Sequence, residues 1–243
     1  MARAIPLEEL TVFSANNIPA SDFPYRDGAV FLVNKPKGWS SFDVVRFLRN
    51  RINIRKIGHA GTLDPMAEGL LVLCCGKATK SVNQIQEKKK KYTGEITFGA
   101  STPSYDAETD IDQEAPYEHI TRGKIEQVLE DEFSGEIDQV PPMYSALKRK
   151  GERLYKRARK GEKLELQPRK VIIYSTRIID YQPPKLTLVV ECGKGTYIRS
   201  IAHDLGVTLD SRGYLSRLTR DAIGKFRNEN ALTTEQLNEI FDT

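Results

Sequence analysis

Asp64 is the residue of this chain best placed to do chemistry, because it lies in a glycine-rich segment, 58–71, just before an apolar run. A carboxylate can act as a nucleophile or transfer a proton. Pro65 disfavours the helical conformation for Asp64 and favours an extended or turn geometry. The same pair is also a good helix start, with Asp64 as N-cap and Pro65 at the first helical position. In the extended or turn geometry, a rigid loop would present the carboxylate of Asp64.

The elements that must position Asp64 can be read from hydrophobic periodicity. The apolar run at 69–75 predicts a strand buried on both faces. A helix is predicted from Ser40 or Ser41 through Ile52, and Thr121 is predicted to begin another. Strands are expected at 29–34 and 92–98, a hairpin with a longer loop at 170–181 and 185–191, helices at 77–86, 197–209 and 233–241, and mixed strand and turn at 214–227. Helices interspersed with antiparallel-looking strands indicate a mixed α/β fold.

Composition limits the class of protein. The chain has 243 residues, 39% hydrophobic and 29% charged, which is typical of a globular protein with one large or two small domains. No apolar run approaches the length of a membrane span, and the N-terminus lacks the apolar core of a signal peptide. Cys74 and Cys75 are adjacent on a predicted strand and should face opposite ways, which argues against a disulfide framework. We expect a cytoplasmic protein with no membrane association.

The sequence offers no obvious cofactor or metal site. The three histidines are scattered, and there is no Cys-x-x-Cys pair. No phosphate-binding loop and no Gly-x-Gly-x-x-Gly fingerprint follows a strand. We therefore expect chemistry done by side chains alone, with no cofactor and no metal.

Charge is distributed unevenly along the chain. Residues 148–163 contain nine Lys or Arg against two Glu, and 88–91 are four consecutive lysines, whereas 105–138 contain twelve Asp or Glu against two basic residues. A block of one sign is often only a solvated face or a loop. Here Tyr144 and Tyr155 stand among the charges, and aromatic rings interleaved with Arg and Lys suit base stacking and phosphate neutralisation. The block, a predicted loop–helix insertion, favours contact with RNA.

Five segments resemble, in order, the motifs of the TruB-type tRNA pseudouridine-55 synthases. The segment 58–71 is similar to the catalytic motif of that family. The others are Lys35-Pro-Lys-Gly-Trp-Ser-Ser41, Lys90-Lys-Tyr92 with Gly99 and Asp106, Pro141-Pro-Met-Tyr-Ser-Ala-Leu-Lys148 with Gly151, Tyr155 and Ala158-Arg159, and Gly195-Thr-Tyr-Ile-Arg-Ser200 with Asp204-Leu-Gly206. The match runs from about residue 30 to residue 226.

This resemblance implies the pseudouridine synthase fold, an α/β fold of the α+β type. Its mixed, mainly antiparallel sheet has flanking helices and a basic thumb-like insertion, here at about 141–168. We expect an irregular N-terminal extension at 1–28, a catalytic domain at 29–243 and no C-terminal RNA-binding module of the PUA type. Thr109 stands where the family pattern leads us to expect glycine, so the turn there should differ.

The resemblance also implies an isomerase that converts uridine-55 in the T-loop of tRNA to pseudouridine by base flipping. By resemblance, Asp64 is the catalyst, Arg199 pairs with it, and Tyr92 stacks on the target base. A carboxylate suits the reaction because it can attack carbon or stabilise a cationic sugar. The sequence leaves open whether Asp64 attacks the base, attacks the sugar or removes a sugar proton.

Further residues are assigned to binding by the same resemblance. His59 contacts the RNA, and Leu218 lines the uracil pocket. Lys35 supports the catalytic loop by hydrogen bonds, and Lys77 braces the predicted strand at 69–75, which follows that loop. The insertion contacts the T-arm of tRNA through Lys148, Arg153, Arg157 and Arg159.

Two other functions stay open. A non-catalytic RNA-binding or tRNA-folding protein could use the same cleft and insertion. A nucleoside or sugar hydrolase would need a second carboxylate near Asp64, for which Glu68 is the candidate. We expect a monomer that acts on tRNA without a protein partner.

Overall fold

The computed structural model describes residues 5–20, 22–145, 148–149, 152–154, 157, 162, 164 and 166–241, with the side chains of 148–149 and 152–153 outside the description. The described chain forms two compact units. The first comprises Met1–Tyr92 with Thr219–Thr243, and the second comprises Thr93–Leu218. The domain boundaries expected from sequence, 1–28 and 29–243, stay a prediction.

The described strands are β1 (Val12–Phe13), β2 (Ala29–Lys35), β3 (Ile57–His59), β4 (Glu68–Cys75), β5 (Lys90–Phe98), β6 (Ala100–Ser101), β7 (Gln113–Glu114), β8 (Gly135–Gln139), β9 (Lys148–Arg149), β10 (Glu152–Arg153), β11 (Arg169–Gln182), β12 (Lys185–Cys192), β13 (Gly213–Ile223) and β14 (Phe226–Arg227). The α-helices whose bounds lie within the described residues are α1 (Ser41–Ile52), α2 (Val82–Gln86), α3 (Arg122–Glu132), α4 (Ile198–Thr208) and α5 (Thr234–Phe241). Short 3₁₀ helices occupy Gly76–Ser81 and Asn228–Asn230.

Strand β4 is the centre of the first unit. It pairs antiparallel with β2 and β3, and in parallel with β13 through Thr219 opposite Glu68 and Arg220 opposite Gly69. Alternate residues of β4 enter two apolar clusters: Leu71, Leu73 and Cys75 join one, and Leu70, Val72 and Cys74 join the other. The predicted strand buried on both faces is therefore confirmed, because both faces are covered.

All three cysteines of the chain are free and buried. Cys74 and Cys75 point into different apolar clusters, as their adjacency on a strand predicted. Burial raises the pKa of the Cys74 thiol to about 12 and that of Cys75 to about 11. These thiols therefore behave as small apolar side chains of the core.

Helix α1 matches its prediction closely. Ser40 is the N-cap, and it forms a capping box with Asp43, whose carboxylate accepts the Ser40 backbone N–H at 2.9 Å. The predicted apolar face, Val44, Val45, Leu48 and Ile52, is buried. The helix ends before Asn53, which adopts a left-handed conformation with φ of 51°. Its buried stripe anchors α1 beside β2 and β4.

Two predictions in the first unit need correction. The segment 77–86 is not one helix, because Gly76–Ser81 is 3₁₀ and only Val82–Gln86 is α-helical. The segment 1–28 is mostly irregular where it is described, but β1 pairs in parallel with β2. Phe13 and Tyr25 of this segment enter the core. A two-residue strand has no periodicity that a sequence pattern can reveal, so its position was not predicted.

The second unit is built on the antiparallel hairpin of β11 and β12, with β8 antiparallel to β11. The longer hairpin loop predicted from sequence is wrong. Gln182 pairs with Lys185, so the loop is only Pro183 and Pro184, joined by a cis peptide bond. Tight turns with a cis proline are a known turn class. Helix α3 begins after the predicted cap Thr121 and buries Ile125 and Leu129.

The fold class predicted from sequence is confirmed. Most strand pairs within the two units are antiparallel, with β1–β2 and β4–β13 parallel, and helices accompany the strands of each unit. In the described part of the insertion, β9 and β10 form a short antiparallel pair, and Leu154 and Arg157 have helical geometry. None of the described helices is both long enough and apolar enough to cross a membrane.

Candidate active site

Asp64 lies in a β-turn rather than at a helix start. The backbone N–H of Ala67 donates to the Asp64 carbonyl at 3.1 Å, which closes the turn with Pro65 at its second position. The fixed φ of proline suits that position. Of the two local geometries that the sequence allowed, the turn is correct. The Asp64 side chain is half-buried, and Glu68 begins β4 four residues later.

The residue just before Asp64 is held by a buried hydroxyl of α1. The Leu63 backbone N–H donates to Ser41 Oγ at 2.8 Å, and Ser41 Oγ donates to the Leu63 carbonyl at 3.0 Å. Ser41 and Leu63 are both buried, so water cannot replace these bonds. A single side chain therefore satisfies both backbone groups of Leu63, in a contact that sequence analysis did not foresee.

The residue just after Asp64 is held from the segment between β2 and α1. The Gly38 N–H donates to the Pro65 carbonyl at 2.8 Å. The fully buried ammonium of Lys35 lies 3.4 Å from the same carbonyl and donates to the Trp39 carbonyl at 2.6 Å. Lys35 was expected to support this loop by hydrogen bonds, and its ammonium makes such contacts. Both neighbours of Asp64 are thus fixed to the unit.

Arg220 forms a third support of the same loop. Its guanidinium donates to the carbonyls of Leu70 at 2.7 Å, Gly61 at 3.1 Å and Thr62 at 3.3 Å. The Arg220 side chain is only 1% exposed. Such a planar fork of donors can connect the loop to β4 in a way that a lysine cannot.

Sequence reasoning missed Arg220, although a signal was present. On β13, Arg220 lies two residues from the buried Leu218 and two from the buried Ala222, so it shares their face and places a charged residue on an apolar face.

The close pairing of β13 with β4 also requires glycine at position 69. Gly69 has a φ of +99°, and a Cβ atom there would lie 2.6 Å from the Arg220 carbonyl oxygen.

The remaining predicted residues of the first unit have different surroundings. His59 lies on β3, where burial and then the Arg220 guanidinium lower the pKa of its imidazole, against a raising effect of the Gly61 backbone. Tyr92 is half-buried on β5. Lys77 was expected to brace β4, but its ammonium pairs with the exposed Asp27 at 2.7 Å. That side chain therefore contacts the surface segment before β2.

In the second unit, Arg199 is buried in the first turn of α4, where it is 3% exposed. Its guanidinium donates to the carbonyls of Ser104 at 2.9 Å and Tyr144 at 2.8 Å, and lies 3.4 Å from a carboxylate oxygen of Asp106. A buried guanidinium with these partners has little freedom to move. The predicted pairing of Arg199 with Asp64 concerns residues of different units and stays a prediction.

Asp106 is held on its other side by local hydrogen bonds. Its Oδ1 accepts from Ser104 Oγ at 2.5 Å and from the Glu108 N–H at 3.0 Å, while Oδ2 faces Arg199. Asp106 and Ser104 are each 1% exposed. In the sequence, Asp106 stood out only as part of a motif, and in the structure it is a carboxylate partner of Arg199. Leu218, the predicted lining of the uracil pocket, is buried on β13.

The basic insertion is described only in part. Lys148 and Arg153 lie on the paired strands β9 and β10, but their side chains are outside the description, and Arg159 is outside the described residues. Arg157 forms an ion pair with Glu162 at 2.6 Å. Among the four lysines 88–91, Lys90 is buried and donates to the Gln86 carbonyl. Fewer positive charges are therefore available at the surface than the sequence suggested.

Metal binding finds no support in the described part of the chain, where no three His, Cys, Asp or Glu side chains are grouped to hold an ion. The loop backbone around Asp64 is held by side chains: Lys35 and Arg220 donate to its carbonyls, and Ser41 accepts from its Leu63 N–H. These bonds restrict the backbone of the turn that carries Asp64.

Comparison with known proteins gives consistent matches. The family profile described as TruB family pseudouridylate synthase (N terminal domain) matches residues 49–198. A tRNA pseudouridine synthase B of Flavobacterium johnsoniae is 46% identical over 86% of this chain and 93% of its own. A protein of the same name from Bacteroides fragilis is 42% identical over 90% of this chain and 96% of its own.

Two solved structures of similar fold are chains of larger complexes. A chain of a Cbf5–Nop10–Gar1 complex superposes with a TM-score of 0.66 at 27% identity, covering 96% of this chain and 58% of that chain. A chain of an archaeal box H/ACA sRNP Nop10–Cbf5 complex gives a TM-score of 0.65 at 23% identity, over 93% of this chain and 58% of its own. The present chain thus spans somewhat more than half the length of these chains, and the second likeness concerns the fold alone.

Proposed function

Because this chain belongs to the TruB family of pseudouridylate synthases, we propose that it isomerises uridine-55 in the T-loop of tRNA to pseudouridine. The observation that supports this most directly is the turn that presents Asp64, with both neighbouring residues held by hydrogen bonds, of which those of Leu63 are buried. A pure RNA-binding protein needs no carboxylate fixed in this way, so the non-catalytic alternative is not favoured.

Asp64 is proposed as the catalyst of this reaction. The isomerisation breaks the N-glycosidic bond of the uridine, turns the base and joins it to the sugar through carbon. The product has the same atoms as the substrate, so a side-chain catalyst suffices. Asp64 attacks the base, attacks the sugar or removes a sugar proton, and each route needs the carboxylate at a fixed distance from the nucleotide. The turn at Pro65 and the three supports of the loop favour such a fixed position.

Arg199 and Tyr92 are proposed to assist Asp64. A guanidinium beside the carboxylate would orient it and stabilise its charge. The buried Arg199, with its carbonyl partners and Asp106, is already ordered, so little entropy would be lost in acting on a carboxylate. Tyr92 is proposed to stack on the extruded uracil and Leu218 to line its pocket. His59 is proposed to contact the RNA from the end of β3, five residues before Asp64.

One assay separates this function from its rivals. Wild-type protein is mixed with a T-arm hairpin that carries 5-tritiated uridine, because formation of the new carbon–carbon bond releases the tritium. We expect release by the wild type, and binding without release by Asp64→Asn. The exposed Asp22, changed to Asn in the same unit, is the matched control and should keep full activity.

The result can also contradict the proposal in three ways. Binding without release by the wild type would support the RNA-binding alternative. Free uracil in place of pseudouridine would indicate a hydrolase, and Glu68→Gln would then be tested for its loss. Substantial release by a pure Asp64→Asn preparation would remove Asp64 from its role.

The basic insertion is proposed to bind phosphates of the T-arm. Neutralising Arg153, Arg157 and Arg159 together should weaken RNA binding and flatten its salt dependence, by a slope of roughly 0.7 to 0.9 for each phosphate that the protein no longer neutralises. Arg157 alone should change the slope least, because Glu162 already pairs with it. An unchanged slope in the triple variant would show that the block is not on the RNA. Lys148 is proposed to bind the same phosphates.

The cellular setting is also a proposal. A cytoplasmic location agrees with three free thiols in the chain. Action as a monomer on tRNA stays a prediction, which sedimentation of the protein alone and with a T-arm hairpin would test.

A further inference from the structure

A threonine stands beside the network that holds Arg199. Thr109 Oγ1 accepts the backbone N–H of Ser104 at 3.1 Å, and it lies 2.7 Å from the hydroxyl of the same serine. Sequence analysis expected glycine at position 109 and a different turn in consequence. The structure shows that the threonine side chain contributes two hydrogen bonds that a glycine could not make.

The directions of these hydrogen bonds are fixed by the donors available. Ser104 Oγ lies 2.5 Å from Asp106 Oδ1, and an ionised carboxylate only accepts, so the Ser104 hydroxyl donates there. The Thr109 hydroxyl must then donate to Ser104 Oγ, while its own oxygen accepts from the Ser104 N–H. Each hydroxyl donates one hydrogen bond and accepts one. Chains of this kind strengthen one another in a buried setting.

Ser104 stands between the threonine and the arginine. Its carbonyl accepts from Arg199 Nη1 at 2.9 Å, and its hydroxyl holds Asp106 Oδ1, so that Oδ2 faces the same guanidinium at 3.4 Å. Both partners of Arg199 on this side therefore depend on the position of Ser104. Thr109 restrains that residue at its backbone nitrogen and at its hydroxyl.

We propose that Thr109 is a positioning residue for Arg199, acting through Ser104 and the Asp106 carboxylate. The inference rests on the proposed function, since it concerns the arginine assigned to assist Asp64. Thr109 touches no reacting atom. Its loss releases Ser104 and lets the Arg199 guanidinium move, which lowers the rate of isomerisation without weakening the binding of RNA.

The test compares single-turnover tritium release at saturating T-arm hairpin with the dissociation constant of the same RNA. Thr109→Val keeps the shape but removes the hydroxyl and with it both hydrogen bonds to Ser104. Because these bonds act on the reaction only through Ser104, part of their net free energy should be lost from the transition state, and the rate should fall roughly three- to tenfold. The dissociation constant should stay within about twofold. Thr109→Ser restores the hydroxyl and should restore the rate. Thr176→Val, which makes the same change on β11 at a residue outside this network, is the control.

A double-mutant cycle tests the route of the effect. Ser104→Ala removes the hydroxyl contact with Thr109 but keeps the backbone N–H of residue 104. If Thr109 acts through Ser104, Thr109→Val should therefore slow the Ser104→Ala variant by a smaller factor than it slows the wild type. Fully additive losses would overturn the proposal. So would a Thr109→Val rate equal to the wild type, or a rate loss matched by an equal loss of RNA affinity.

Folding and function are kept apart by two further measurements. The melting temperature of each variant is recorded, and Thr109→Ala gives the same comparison should the valine variant not fold. Wild-type protein that releases no tritium would refute the proposed function, and the positioning role with it. Active wild type with unaffected threonine variants would refute the positioning role alone.

Discussion

Replacing Ser41 by alanine should disturb Asp64 without touching it. The Ser41 hydroxyl accepts the Leu63 N–H at 2.8 Å and donates to the Leu63 carbonyl at 3.0 Å. Alanine has a higher helix propensity than serine and adds no volume, so α1 should persist. The only groups that lose partners are the two backbone atoms of the residue that precedes Asp64.

The magnitude follows from the burial of these groups. Leu63 is 3% exposed, so neither its N–H nor its carbonyl can turn to water in place of the serine. Each unsatisfied buried group costs about 1 to 3 kcal/mol. We expect Ser41→Ala to lower the free energy of unfolding by about 2 to 4 kcal/mol, a large part of the roughly 5 to 15 kcal/mol of a typical domain.

The effect on the reaction should exceed the effect on binding. A carboxylate displaced by about 1 Å can cost roughly a hundredfold in rate. We expect kcat for pseudouridine formation to fall by about ten- to a hundredfold, with RNA affinity nearly unchanged. Ser81→Ala is the matched control, because Ser81 is also buried in the first unit but donates to the Ile5 carbonyl at 2.7 Å.

Two measurements decide the matter: denaturant unfolding of each variant, and tritium release at saturating RNA. The reasoning is refuted if Ser41→Ala keeps wild-type kcat, or if Ser81→Ala loses as much activity at an equal loss of stability. In the second case, general loosening of the unit rather than the Leu63 contact would explain the change.

Three further predictions concern stability. Arg220→Lys keeps the charge but loses the planar fork, so the free energy of unfolding should fall by about 2 to 4 kcal/mol, and an unchanged denaturation midpoint would contradict this. Gly69→Ala should cost at least about 3 kcal/mol through its positive φ and the approach of 2.6 Å, whereas Gly123→Ala, with open space around the new Cβ on α3, should be neutral or slightly stabilising. Burial raises the pKa of Asp204 to about 6, above an unfolded value of about 3.9, so the folded state binds more protons between these values and loses stability as pH rises through them. Asp204→Asn should flatten this loss, on the order of 2 kcal/mol, and an identical pH profile of unfolding would count against it.

Local sequence was sufficient where one segment carries its own signal. The cap at Ser40 and the apolar stripe of α1 lie within fourteen residues, and the structure has the helix where they indicate. The unbroken apolar run of β4 predicted burial on both faces, and two apolar clusters cover it. Such elements follow from periodicity and capping, which need no knowledge of distant residues.

Local sequence was insufficient where distant residues decide. Asp64-Pro65 fits a turn or a helix start equally well, and the choice is stabilised by Gly38 and Ser41. The Arg220 guanidinium donates to the carbonyl of Leu70, which is 150 residues away in the sequence. This contact depends on the parallel pairing of β13 with β4, which no local pattern encodes. The roles given to Asp64, Tyr92 and Arg199 came from the resemblance to a family, because spacing alone does not distinguish a catalyst from an ordinary surface residue.

The burial of every cysteine has a practical consequence for kinetic work on this protein. With their pKa values raised by the core, Cys74 and Cys75 carry almost no thiolate at neutral pH, and Cys192 is equally hidden from reagents. A cysteine introduced on the surface would therefore react with a maleimide fluorophore far faster than any native thiol. A dye on such a cysteine, paired with a dye on the nucleic acid, could report their encounter in stopped-flow mixing, without first replacing any native cysteine.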